Sequence, residues 1–126
     1  MPMRLFTPRS ARSALGELRP VAERICTLFK AMEYRRPRPI KPEQPVEPAY
    51  FALLNQLHQG LDEVRARGAR VKDLREGMID FPAQREGRQV LLCWQVGENS
   101  LRFWRETGAG YAGRRLVDED GPWEEA

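Results

Sequence analysis

The chain has 126 residues, a length that suits one domain with a single, modest core. Charged residues make up 31%, and no apolar run reaches the roughly 18 residues a membrane helix needs, so a membrane-spanning protein is not expected. The net charge of +3 is unevenly spread: residues 1–41 carry ten Arg or Lys against three Glu, while Asp118 to Ala126 holds five acids and no base.

A basic front and an acidic tail can pair within one molecule, pair between two, or stay as two solvated surfaces. The opening MPMRLFTPRS lacks the apolar stretch of a secretory signal. Cys26 and Cys93 form neither a metal-ligand spacing nor a disulfide framework. The expectation is a cytoplasmic protein with two reduced thiols, no metal and no cofactor.

In chain order, Thr7 is a good N-cap and Pro8 suits the first helical position. Ala11, Ala14, Leu18, Val21, Ile25, Leu28 and Met32 follow at alternating spacings of three and four, widened by Leu15, Ala22 and Phe29. The stripe keeps its phase across Pro20, which predicts one bent helix over residues 8–34. Phe6 is placed to staple back onto Ala11. Residues 35–48 hold five prolines, which predicts an extended connector that turns the chain between two antiparallel helices. The second helix is expected from Pro48, with Phe51, Leu54, Leu57, Leu61 and Val64 as its stripe and Gly68 at its end.

After Gly68 the period changes to two. Short strands are expected at 71–73 and 77–82, with Ile79 and Phe81 facing away from Met78 and Asp80. A turn at Arg85 to Gly87 leads to the strongest strand, 88–96. There Val90, Leu92 and Trp94 face one way and Leu91, Cys93 and Gln95 the other. A hairpin loop at 97–100 precedes a returning strand at 101–106, read with Leu101 and Phe103 opposite Trp104. The fold class is α+β: an N-terminal antiparallel helical hairpin, then a three- or four-stranded antiparallel β-meander over residues 70–117, with an acidic tail at 118–126.

This half carries a resemblance. Val71-Lys72-Asp73, Gly77 to Pro82, Leu92-Cys93-Trp94, Gly97-Glu98, Trp104-Arg105-Glu106 and Ala109 to Arg114 resemble the motif run of a bacterial family catalogued as domain of unknown function 2203. The match is specific in the last half and loose across the helices. The family usually has histidine after the second of these tryptophans, where this chain has Arg105, so a metal or acid–base role for that histidine does not carry over. The resemblance implies a helical N-terminal half followed by this motif run, and no established activity.

Gly108, Gly110 and Gly113 spell a dinucleotide-type motif, but no helix can follow in the thirteen residues that remain, so the glycines are read as backbone that bends. His58, the sole histidine, is expected at the surface or half-buried. Cys93, flanked by Leu92 and Trp94, is read as packing rather than as a nucleophile. Asp80 alternates into an apolar setting and needs a partner, with Arg105 and Arg114 as the choices. Asp80, Glu98, Trp104, Glu106 and Arg114 are therefore the candidate binding residues, weighed against a structural ion pair that fixes strand register. Arg35, Arg36 and Arg38 are a candidate basic patch for phosphates. The favoured function is non-enzymatic, a protein-binding adaptor or assembly factor. The alternatives are a nucleic-acid-associated protein, or a small-ligand binder or enzyme at the sheet's polar face. The double-sided apolar strand around Val90 to Trp94 asks for a second cover, which points to a homodimer.

Overall fold

The structure, a computed structural model, describes residues 4–35 and 47–125. Helix α1 spans Pro8–Tyr34. The Thr7 hydroxyl accepts from the Ser10 amide at 3.2 Å, and the Ser10 hydroxyl accepts from the Thr7 amide at 2.9 Å, so two otherwise orphaned donors are satisfied. Pro20 lies inside α1 and the helix continues through it, as the unbroken apolar phase predicts. Helix α2 spans Pro48–Ala66, and Gly68 just beyond it adopts a φ of +86°. α2 packs on α1 and meets the sheet at its first strand. Leu57, Gly60 and Val64 of α2 are buried. Phe51, expected in the buried stripe, is 53% exposed instead. The first turn of α2 fully buries none of its residues, and only Tyr50 there packs against the edge of the core.

The strands are β1 Arg70–Asp73, β2 Met78–Arg85, β3 Arg88–Gln95, β4 Phe103–Glu106, β5 Arg115–Leu116 and β6 Trp123–Glu124. They form one sheet of order β1-β2-β3-β4-β5, with β6 pairing antiparallel to the end of β2. The sheet thus has two short strands beyond the expected meander. The acidic tail is not simply solvated, because Trp123 and Glu124 belong to β6. Glu86 and Gly87, at φ +52° and +78°, form the two-residue turn between β2 and β3. That double positive φ matches the twist of a tight hairpin.

Pro82 sits inside β2, where a missing amide hydrogen would break a ladder. Its carbonyl accepts from the Phe6 amide at 2.7 Å, on the side away from β3. The Pro82 nitrogen therefore faces that same side and costs the β2–β3 ladder nothing. Phe6 is fully buried and meets Phe81 edge-on at 5.2 Å rather than serving only as a staple for the helix.

The inner face carries Ile79, Phe81, Ala83, Val90, Leu92, Trp94 and Trp104 into one core with α1 and α2. Alternation fixes these faces as expected, except that Leu101 lies in this core, away from Phe103. On the outer face, Asp80, Cys93 and Phe103 stand side by side across β2, β3 and β4. Leu91 is 3% exposed and Cys93 is fully buried. The residues between β4 and β5 cover them: the Ala109 carbonyl accepts from Arg105, and Arg114 lies on the rings of Phe103 and Tyr111. Leu91 and Cys93 on the outer face of β3 are thus covered within one chain. Basic front and acidic tail also meet within the chain, where Arg12 grips Glu119 with two hydrogen bonds.

Gly77 marks a point where the backbone permits no side chain. Its φ is +68°, and an added Cβ would sit 2.4 Å from Cγ2 of Val96. Gly77→Ala should cost about 1–3 kcal/mol, the usual price of backbone strain at such a site. A urea midpoint unchanged from the parent would contradict that reading.

Candidate functional site

The polar residues of the outer face gather around two ion pairs. Asp80 and Arg105 form the first, with both side chains essentially solvent-free. Arg105 also donates to the Ala109 carbonyl at 2.8 Å. Burial raises the Asp80 carboxyl above its ordinary value, and the attraction of Arg105 opposes that rise only in part. Arg114 and Glu98 form the second pair, at 2.6 Å. The other Glu98 oxygen accepts from the Gln95 amide at 2.7 Å, which ties the loop after β3 to its strand. The guanidinium carbon of Arg114 lies over the rings of Phe103, 3.9 Å from its centre, and Tyr111, at 4.6 Å. Beside these pairs, burial and the nearby Asp80 push the Cys93 thiol up to about 11. A thiol so placed is protonated at neutral pH and a poor nucleophile.

Three buried polar atoms of this cluster have no hydrogen-bond partner: Asp80 Oδ1, Arg105 Nε and Arg114 Nε. Cys26 belongs to the other side of the sheet, on α1, where its thiol donates to the Arg75 carbonyl. The two cysteines are both free and face different layers.

A cleft of about 290 Å³ adjoins this cluster, lined by Asp73, Glu76, Met78, Gln95 and Tyr111. A β-bulge builds it. Arg70 pairs with Asp80 and Val71 with Ile79, but the register then slips so that Asp73, not Lys72, stands opposite Met78. Regular alternation would have turned Asp73 to the inner face; the extra residue turns it to the outer face. Asp73 Oδ1 accepts from the Glu76 amide at 2.9 Å, and Gln95 donates to Glu76 at 3.2 Å. Neither carboxylate has an ion-pair partner among the described residues. Tyr111 is 59% exposed and forms one wall.

The sequence candidates divide. Asp80, Glu98 and Arg114 share the outer face. Trp104 does not: it lies in the core on the helix side, edge-on to Trp123 at 5.9 Å, with Arg85 stacked on both rings. Glu106 pairs with Arg88 at the surface, which holds its carboxyl below the usual range. Arg35 is exposed at the C-cap of α1, and Arg36 and Arg38 lie outside the described residues. His58 is exposed on α2. Asp73, Glu76, Met78, Gln95 and Tyr111 were not singled out from sequence. A four-residue strand gives no sign of its bulge, and Tyr111 was hidden in a glycine pattern.

A wider depression of about 670 Å³ lies at the start of α1, lined by residues that include Arg4, Arg9, Ser10, Glu17 and Arg67. Some of its polar groups are already engaged: Thr7 and Ser10 cap each other, and Arg67 pairs with Glu17. Among the described residues no three His, Cys, Asp or Glu side chains converge as metal ligands, and no helix is long and apolar enough to cross a membrane.

No curated protein and no solved structure matches this chain. One family does match, described as "Uncharacterized conserved protein (DUF2203)", over residues 4–117, which takes in both helices, the five-strand path and the cleft. The chain, itself of α+β fold, belongs to that family of uncharacterised conserved proteins.

Proposed function

We propose that the protein is a non-enzymatic protein-binding domain, and that the outer-face cleft receives a basic side chain of its partner. The observation that carries this is that Asp73 and Glu76, which have no ion-pair partner among the described residues, line one cleft with the exposed ring of Tyr111 and the buried Met78. A guanidinium or ammonium is attracted by an aromatic face and by carboxylates at the same time. The bulge that turns Asp73 outward is the kind of local irregularity that re-aims a side chain toward a site. The enclosed, protonated Cys93 and the exposed His58 are poorly placed for nucleophilic or acid–base work, which favours a binding role. A nucleic-acid role has less support. Arg12 is taken by Glu119, Arg24 by Glu63, and Arg19 by the Asn99 carbonyl and the ring of Trp94.

The test uses N-acetyl-arginine methylamide and its neutral isostere, N-acetyl-citrulline methylamide, titrated by calorimetry. The arginine probe should bind at about millimolar affinity, near the 4 kcal/mol that such a constant represents. The citrulline probe should bind at least about tenfold more weakly, a difference of about 1.4 kcal/mol. Asp73→Asn combined with Glu76→Gln should abolish the difference. Equal binding of the two probes, or no binding of either, overturns the reading.

A further inference from the structure

We infer that Thr107 to Arg114 is a strap over the outer sheet face, able to open while the rest of the fold stays closed. The inference goes beyond the binding reading and does not depend on it. Seven of these eight residues bury no side chain, and only the Arg114 side chain is enclosed. Their backbone hydrogen bonds are local: Ala109 to Glu106, Gly113 to Gly110, and Arg114 to Tyr111. No backbone bond joins the strap to β1, β2 or β3.

Two side chains fasten it. Arg105 donates to the Ala109 carbonyl from below, and Arg114 reaches out of the strap to Glu98 while stacking on Phe103. Gly108 and Gly110 sit where an added Cβ would meet nothing, so the strap is bounded by backbone that no neighbour constrains. Beneath it lie Asp80 and Cys93, both fully buried.

The closed strap carries a cost. Asp80 Oδ1, Arg105 Nε and Arg114 Nε are buried without partners while it is shut. Each such atom forfeits hydration that it would regain in the open state. Segments with few buried contacts and a local penalty belong to the low-stability end of a fold and open separately from the core. Opening would uncover a thiol, a carboxylate and two guanidinium groups together. It would also remove the Tyr111 wall of the cleft.

The experiment is alkylation of the intact protein by iodoacetamide at pH 8, with Cys93 and Cys26 followed separately by peptide mass. Cys26 is buried on α1 and reports opening of the helix–sheet layer. Urea unfolding, followed by circular dichroism, gives the global free energy. Cys93 should be modified at least about tenfold faster than global unfolding allows, at a rate nearly independent of urea below the transition. Glu98→Gln, which keeps the shape but removes the charge that fastens Arg114, should accelerate Cys93 by a further several-fold and leave Cys26 unchanged. The proposal is overturned if Cys93 follows the global free energy and urea slope in both proteins. It is equally overturned if Glu98→Gln accelerates both cysteines alike.

Discussion

Replacing Trp94 with alanine should destabilise the protein by about 3–5 kcal/mol, the range for large aromatic deletions in cores. Trp94 is 1% exposed, on the inner face of the central strand, opposite Ile79. Its indole nitrogen donates to the Glu98 carbonyl at 3.0 Å, and Arg19 of α1 lies over its ring. Truncation therefore removes core volume, a loop anchor and a helix contact at once. Glu98 also pairs with Arg114, so the loss should spread from the core to the outer face. Chemical denaturation checks the size. A loss below about 1 kcal/mol would place Trp94 outside the well-packed core.

Arg105→Met should cost about 3–5 kcal/mol at pH 7, because breaking a buried ion pair leaves Asp80 enclosed without its partner. The pH dependence separates this from a simple packing defect. In the native protein Asp80 already has a folded-state pKa raised by burial, with Arg105 holding it down. An acid whose pKa is raised on folding stabilises the folded state below its unfolded value near 3.8, and that contribution is lost as pH rises through the folded value. Removing Arg105 deletes the strongest opposing influence, so the folded value climbs further and the loss extends to higher pH. The variant should thus be closer to the parent at pH 5 than at pH 7. A cost equal at both values would show that Asp80 is not the group left stranded. Replacing both residues, Asp80→Leu with Arg105→Met, should recover most of the stability, since an apolar pair of similar volume avoids desolvating any charge.

The exposed carboxylates act in the opposite sense. Asp118, Glu119 and Glu106 are held low by Arg85, Arg12 and Arg88. Their contributions are present above the ordinary carboxylate range and fade as pH falls through it. All three carboxylates face solvent, so screening keeps each contribution small. The stranded Asp80 of the Arg105 variant should dominate the comparison between pH 5 and pH 7.

Much of the fold was legible because local patterns and tertiary packing agree. Thr7 and Pro8 mark the start of α1, the unbroken stripe carries it past Pro20, and Gly68 closes α2 in the conformation expected of it. The strict alternation from Val90 to Gln95 assigns both faces of β3 correctly. Asp80 in its apolar setting needs a partner, and of the two candidates Arg105 and Arg114 the fold gives it Arg105, while Arg114 pairs with Glu98. The rest depended on contacts between distant segments. Trp123 and Glu124 become a strand only because Arg85 at the end of β2 is there to pair with them. Trp104 looked like a contact residue because β4 is too short for its alternation to be decisive, and its true neighbour, Trp123, is remote in sequence. Phe51 fits a helical stripe, yet it lies exposed in the first turn of α2, which fully buries none of its residues. The bulge at Lys72 exchanges which residue faces outward, and a single inserted position in a short strand leaves no periodic trace. The strap is the clearest case. Its glycines suggested backbone freedom, but nothing in a linear pattern shows that they fold the chain back over Cys93.

The most direct test of the account is an amide chemical-shift map of the protein with the peptide Ala-Ala-Arg-Ala-Ala. The outer-face cleft predicts perturbations that cluster at residues 73–78, at Gln95 and at Tyr111, and that vanish when Asp73→Asn and Glu76→Gln are combined. Shifts centred instead on Arg4, Arg9 and Arg67 at the start of α1, or no shifts at all, would contradict it.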